Sequence, residues 1–144
     1  MGQKTGVNPT QTDLALLLAQ LSPRLNSGEF IYLTLKDPLP AMVRPLASFH
    51  EWEGESVILR KEQADTIGIK HGNDTYAWIT LDVQSALDSV GLTAAVTKVL
   101  ADAGIPCNVV AAFHHDHLFV PSASGEKALE ILKRLQTTDK SKTG

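Results

Sequence analysis

Hydrophobic and polar positions change period several times along the chain, and each change marks an element. The first ten residues are polar with Gly and Pro and predict a loose lead-in. Thr12 or Asp13 can cap a dense apolar run, Asp13 to Leu21, so a helix is expected there, stopped by Ser22-Pro23. Phe30-Ile31-Tyr32-Leu33-Thr34-Leu35 is β-branched and aromatic and predicts a strand, broken by Asp37-Pro38-Leu39-Pro40. Ala47 to Trp52 and Ser56 to Arg60 predict two more strands around a Glu53-Gly54-Glu55 turn, and Lys61 to Ile67 is helical in composition. His71-Gly72-Asn73-Asp74 marks a linker, which puts a unit boundary near Asn73.

The second half is patterned more sharply. Tyr76 to Val83 alternates and is rich in β formers, so a strand is expected, followed by a loop or a short turn of helix from Gln84 to Gly91. From Thr93, read as a cap, a helix runs to Ala103 with Ala95, Val96, Val99, Leu100 and Ala103 on one stripe, and Gly104 stops it. A strand from Asn108 to Phe113, a polar turn of His114, His115, Asp116 and His117, and a strand from Leu118 to Pro121 follow. Ser124 can cap a last helix, Gly125 to Leu135, with Ala128, Leu129, Ile131, Leu132 and Leu135 inward; residues 139–144 predict a disordered tail. The halves thus read α-β-β-β-α (residues 1–73) and β-α-β-β-α (residues 74–138). That is an α+β layer arrangement with helices on one face of the sheet.

Composition narrows the function classes. The chain has 144 residues and a net charge of −3, with no basic face, so a nucleic-acid partner is not expected. Cys107 is the one cysteine, which excludes an intrachain disulfide and fits a reducing, cytoplasmic setting. The best apolar run, Leu14 to Leu21, is too short to span a bilayer, and no signal-peptide pattern opens the chain.

Several residues invite catalytic readings. His114, His115 and His117 beside Asp116 suggest a metal, since imidazole suits zinc, iron and nickel. A zinc site needs three or four ligands at defined spacings, so hydrogen-bonded turn histidines are expected and no metal is assigned. Cys107 has no pattern of a nucleophile around it and is expected to pack as a small hydrophobe. Glu51, Glu53 and Glu55 flank Gly54 and read as a solvated hairpin. Trp52 and Trp78 are expected in a core or an interface. No Gly-rich phosphate loop is present, and no cofactor is implied.

The order strand, Gly91-Leu92 at a helix entrance, amphipathic helix, Gly104-Ile105, hairpin, helix resembles an ACT domain, a small ferredoxin-like regulatory module. From Tyr76 to Leu135 the likeness is to the aspartokinase-type ACT units that occur in pairs. Ala112-Phe113 with Asp116 and Val120 is similar to the hairpin of the CASTOR-like amino-acid sensors. The first half, with Phe49, Glu51, Glu55 and Ser56 in its hairpin, looks like the partner unit. The resemblance implies two βαββαβ-type units side by side, with a small molecule, an amino acid, held where units meet. Carried over, the loop side is Ser89, Val90, Gly91 and Leu92, and the strand side is Asn108, Ala112, Phe113 and Asp116. Val90 stands where many ACT units have Pro, and Pro106 where many have Asn. Chemically, backbone N–H groups at a helix entrance can take a carboxylate and Asp116 an ammonium group. The resulting expectation is a regulatory ligand-binding protein, compatible with a homodimer. The alternatives are a small metal-dependent enzyme using His114 to His117 and a structural partner-binding module.

Overall fold

The computed structural model describes residues 11–83 and 90–142, with side chains from 14–83 and 90–136. Among the described residues seven strands form one antiparallel sheet. In chain order they are β1 (Pro23–Leu25), β2 (Phe30–Leu35), β3 (Ala47–Glu51), β4 (Gly54–Arg60), β5 (Tyr76–Leu81), β6 (Asn108–Ala111) and β7 (Asp116–Pro121). The spatial order is β3-β4-β2-β5-β7-β6, with β1 also on β5. Strand β5 is the seam between the halves. Its start meets β2 at Tyr76↔Phe30, its end meets β1 from Ile79↔Leu25 to Leu81↔Pro23, and its other edge carries β7. The helices are α1 (Gln11–Ala19), α2 (Lys61–Thr66), α3 (Leu92–Asp102) and α4 (Gly125–Lys142), the last entered through a short 3₁₀ turn, Ser122–Ser124.

Alternation along the strands sets two faces. On the helical face, Ala77, Ile79 and Leu81 of β5 and Leu118 and Val120 of β7 meet Val96 and Leu100 of α3, Ala128 and Leu132 of α4, and Leu18 of α1 in one core. A smaller core, Ile31, Leu59 and Ala64, lies under α2 on the same face, with Leu39 and Val43 packed against it. The opposite face carries Phe30, Ile58 and Phe119, edged by Tyr76 and Trp78. Phe30 meets the Trp78 ring edge-on at 5.5 Å between centroids, a favourable aromatic arrangement. The expected layer arrangement, two units side by side with helices on one face, is the one observed.

Details differ from the sequence reading. The first helix spans Gln11–Ala19, not Asp13 to Leu21, and packs in the core of the second half rather than its own. Strand β1 was not anticipated, because three residues led by a proline leave no periodic signal; the free edge of β5 creates it. Strand β5 ends at Leu81, α3 starts at Leu92, and β6 ends at Ala111, each shorter or shifted against expectation. Helix α4 continues past Leu135 to Lys142, into the segment read as a tail. Trp52 is fully exposed at the β3–β4 hairpin (102% relative exposure), so it is no core residue, whereas Trp78 is half-buried in the aromatic cluster. Cys107 is half-buried, and burial pushes its thiol up to about 11, which keeps it protonated at neutral pH.

Gly125 sets how closely α4 approaches the sheet. A Cβ there would lie 2.8 Å from Cβ of Ala77 on β5. Gly125→Ala is therefore expected to lower stability by about 1–3 kcal/mol through overpacking, measured by urea unfolding; an unchanged midpoint would show that the helix can move off the strand freely.

Candidate functional site

The strand side of the expected site is fixed by the sheet register. Strand β5 ends at Leu81, which pairs with Asp116, and Asp116 pairs in turn with Ala111 at the end of β6. Helix α3 is the next element described after β5, and its Val96 and Leu100 pack in the core on the helical face. Asp116 shares the parity of Leu118 and Val120 and therefore belongs to the helical face, the side from which α3 starts. It is half-buried and opens β7, rather than sitting in the turn. The hairpin between the strands closes with Ala112 N–H donating to the His115 carbonyl at 3.1 Å.

Gly91, not Thr93, is the N-cap of α3, at φ +100°. A left-handed residue there turns the chain from the loop into the helix, which glycine does without Cβ strain. The first helical bond runs from Ala95 N–H to the Gly91 carbonyl at 2.9 Å. The N–H groups ahead of it have no acceptor within the helix. Among the described residues no side chain caps this end, and the first turn carries no carboxylate. Leu14 of α1 stands 3.4 Å from where a Gly91 Cβ would be, so the first helix walls the entrance. Gly91→Ala is expected to destabilise the fold by about 1–2 kcal/mol through the left-handed backbone. A denaturation midpoint equal to wild type would remove that constraint.

The expected residues divide as follows. Val90 is 58% exposed, and Leu92, the first residue of α3, is buried. Phe113 is 76% exposed and Ala112 also faces solvent at the hairpin tip. Asn108 is exposed at the opposite end of β6, paired with Phe119. Three strand residues separate it from the Asp116 level, about 10 Å, so the structure does not bring it to the Gly91–Asp116 corner. Ser89 lies outside the described residues.

The histidines diverge. His114 is exposed against the Phe113 ring, His115 Nε2 stands 3.8 Å from Asp82, and His117 Nδ1 accepts from the Trp78 indole at 3.0 Å. Among the described residues no three His, Cys, Asp or Glu side chains are placed to hold a metal ion together. In the β3–β4 hairpin Glu51 accepts from the Ser56 hydroxyl, and Glu53 is exposed beside Gly54.

The sequence reading missed a polar network on the other face. Asn26 Nδ2 donates to Thr80 Oγ1 at 2.9 Å, and Thr80 Oγ1 lies 3.2 Å from His117 Nδ1. Arg24 and Asp82 approach at 3.7 Å beside it. Burial, with His115 nearby, holds His117 below the usual imidazole range, against the opposing pull of Asp116 and Asp82. One signal was available: Thr80 and Asp82 are polar at positions alternating with Ile79, Leu81 and Val83.

An antiparallel sheet backed by helices on one face, with a glycine-led helix entrance beside a strand carboxylate, defines a class of paired α+β modules. Residues 9–76 match one ACT-domain family model and residues 74–134 match another. Among solved structures, a Vibrio cholerae protein of unknown function, described as a possible transport protein, is 36% identical. The match covers 88% of this chain and 98% of that one, with a TM-score of 0.78. The chain belongs to the ACT-domain family and is a tandem ACT-domain protein. The regulatory subunit of aspartate kinase from Thermus thermophilus shares the fold at 9% identity, over 78% of this chain and 95% of that one, with a TM-score of 0.56. An Agrobacterium tumefaciens protein does so at 21% identity, over 81% and 89%, also at 0.56. No curated protein matches the chain. No helix among the described residues is long and apolar enough to cross a membrane.

Proposed function

We propose that this protein is a regulatory module, not an enzyme, that binds a free amino acid between ACT units spanning residues 1–73 and 74–138. The reading rests on one observation above the others. The half-buried Asp116 stands on the helical face of the sheet, level with Leu81, and the start of α3 at Gly91 has no side-chain cap among the described residues; the proposal sets the two side by side. An amino acid carries one group for each. Its carboxylate suits the free N–H groups and the positive end of the helix. Its ammonium suits Asp116. Val90, Ala112 and Phe113 are exposed around that corner and are the proposed contacts for the rest of the ligand, with Leu92 beneath. Likeness to ACT domains and to the aspartate kinase regulatory subunit supports the ligand class. Regulation then works by differential binding: the ligand favours one placement of the units, or one assembly of chains, over another. The lone half-buried thiol fits a cytoplasmic setting.

A thermal-shift screen of the amino acids and divalent metals tests this. One amino acid is expected to raise the unfolding midpoint saturably, with about 2.7 kcal/mol of stabilisation at a hundred times its Kd. Stabilisation by a divalent metal alone would favour the metal-enzyme reading at His114 to His117. No response to either would favour a structural partner-binding module.

A further inference from the structure

The corner where β1, β5 and β7 meet holds a bonded pair that the proposed ligand site does not use. Trp78 Nε1 donates to His117 Nδ1 at 3.0 Å. An indole N–H can only donate. His117 Nδ1 must therefore be a bare acceptor, and the single ring proton sits on Nε2. Thr80, only 2% exposed, places its hydroxyl 3.2 Å from the same nitrogen. Asn26 ties this group to the break between β1 and β2: its side chain donates to Thr80 and its backbone N–H to the Trp78 carbonyl at 2.9 Å. A second proton on His117 would set Nδ1–H against the indole N–H, and the bond could not persist. Thr80 Oγ1, 3.2 Å away, would then be an acceptor for that proton in place of the indole.

Charged groups face His117 from β1, from the residue after β5, from the hairpin and from β7 itself. Arg24 on β1 and His115 in the hairpin oppose a proton, while Asp82 beyond β5 and Asp116 on β7 itself favour one. From β6 the residue opposite is Val110, which carries no charge.

We propose that His117 and Trp78 form a proton-operated latch: neutral His117 closes it, and protonated His117 releases the Trp78 indole and loosens the β1–β2 join on β5. This goes beyond the ligand-binding reading and needs no ligand. The sign is definite. The folded-state value of His117 lies below that of the unfolded chain. The latch therefore contributes stability above the unfolded value, about 6.5. That stability is lost as pH falls through the lower, folded-state value.

Nuclear magnetic resonance on the full chain tests it. In the wild type at pH 8, ring ¹⁵N shifts should show His117 as the Nε2–H tautomer; an Nδ1–H tautomer overturns the latch. In Trp52→Phe, which removes the exposed tryptophan, the one remaining indole N–H signal should start downfield. It should lose that hydrogen-bonded shift with the same midpoint as the His117 ring. An indole signal that stays put while His117 titrates overturns the proposal. Adding His117→Asn, whose side-chain oxygen can still accept, should flatten the curve, whereas His115→Asn should keep it. The reverse pattern moves the effect to His115 and overturns the assignment. If His117→Asn does not fold, the wild-type tautomer and the paired midpoints still decide.

Discussion

Truncating Leu100 to alanine should cost the fold about 2–5 kcal/mol. Leu100 is fully buried on α3 and belongs to the core formed with Ile79, Leu81, Leu118, Val120 and Leu132. Its carbonyl also accepts from Ile105 N–H at 3.0 Å as the chain leaves the helix, so the backbone cannot easily collapse into the space left behind. The loss should appear as a lower midpoint of urea unfolding with an unchanged slope. A nearly neutral effect would show that this helix face does not hold the sheet.

The second large effect concerns binding. Asp116→Asn keeps shape and removes charge. If Asp116 meets the ligand's ammonium group, affinity should fall roughly ten- to a hundredfold, the equivalent of about 1.5–3 kcal/mol. Glu53→Gln, at an exposed carboxylate in the distant β3–β4 hairpin, should change affinity little. Calorimetric titration of both variants separates a local contact from a general effect of charge. Equal affinity for wild type and Asp116→Asn would take Asp116 out of the site.

The periodic elements were legible from the chain, and the reasons are local. Phe30 to Leu35 and the alternating positions after Tyr76 carry the strand signal in their own residues, and the Val96–Leu100 stripe carries the helix. Trp52 illustrates the limit: a tryptophan reads as a core or an interface residue by chemistry, and the hairpin tip that exposes it removes only the core reading. The destination of α1 was equally hidden, because a run dense in leucine does not say which sheet it covers. Asp116 and His117 looked like turn residues by composition. Pairing with Leu81 and Thr80 across 35 or more positions makes them strand residues instead. At the candidate site, Gly91 was legible as the glycine that opens α3, since its left-handed backbone suits no other residue as well. The misplacement of Asn108 came from treating β6 as one point when it has two ends. The Asn26–Thr80–His117 network joins residues 37 and 54 apart in the chain, and no local pattern announces such contacts.

The most direct test of the account is an amide chemical-shift map of the wild-type chain titrated with the amino acid that stabilises it. Saturable shifts are expected at Val90, Gly91 and Leu92 and, with the same Kd, at Ala112, Phe113 and Asp116, leaving the β3–β4 hairpin unmoved. Shifts confined to other surfaces, or no saturable shift with any amino acid, would contradict a site between the start of α3 and the β6–β7 hairpin.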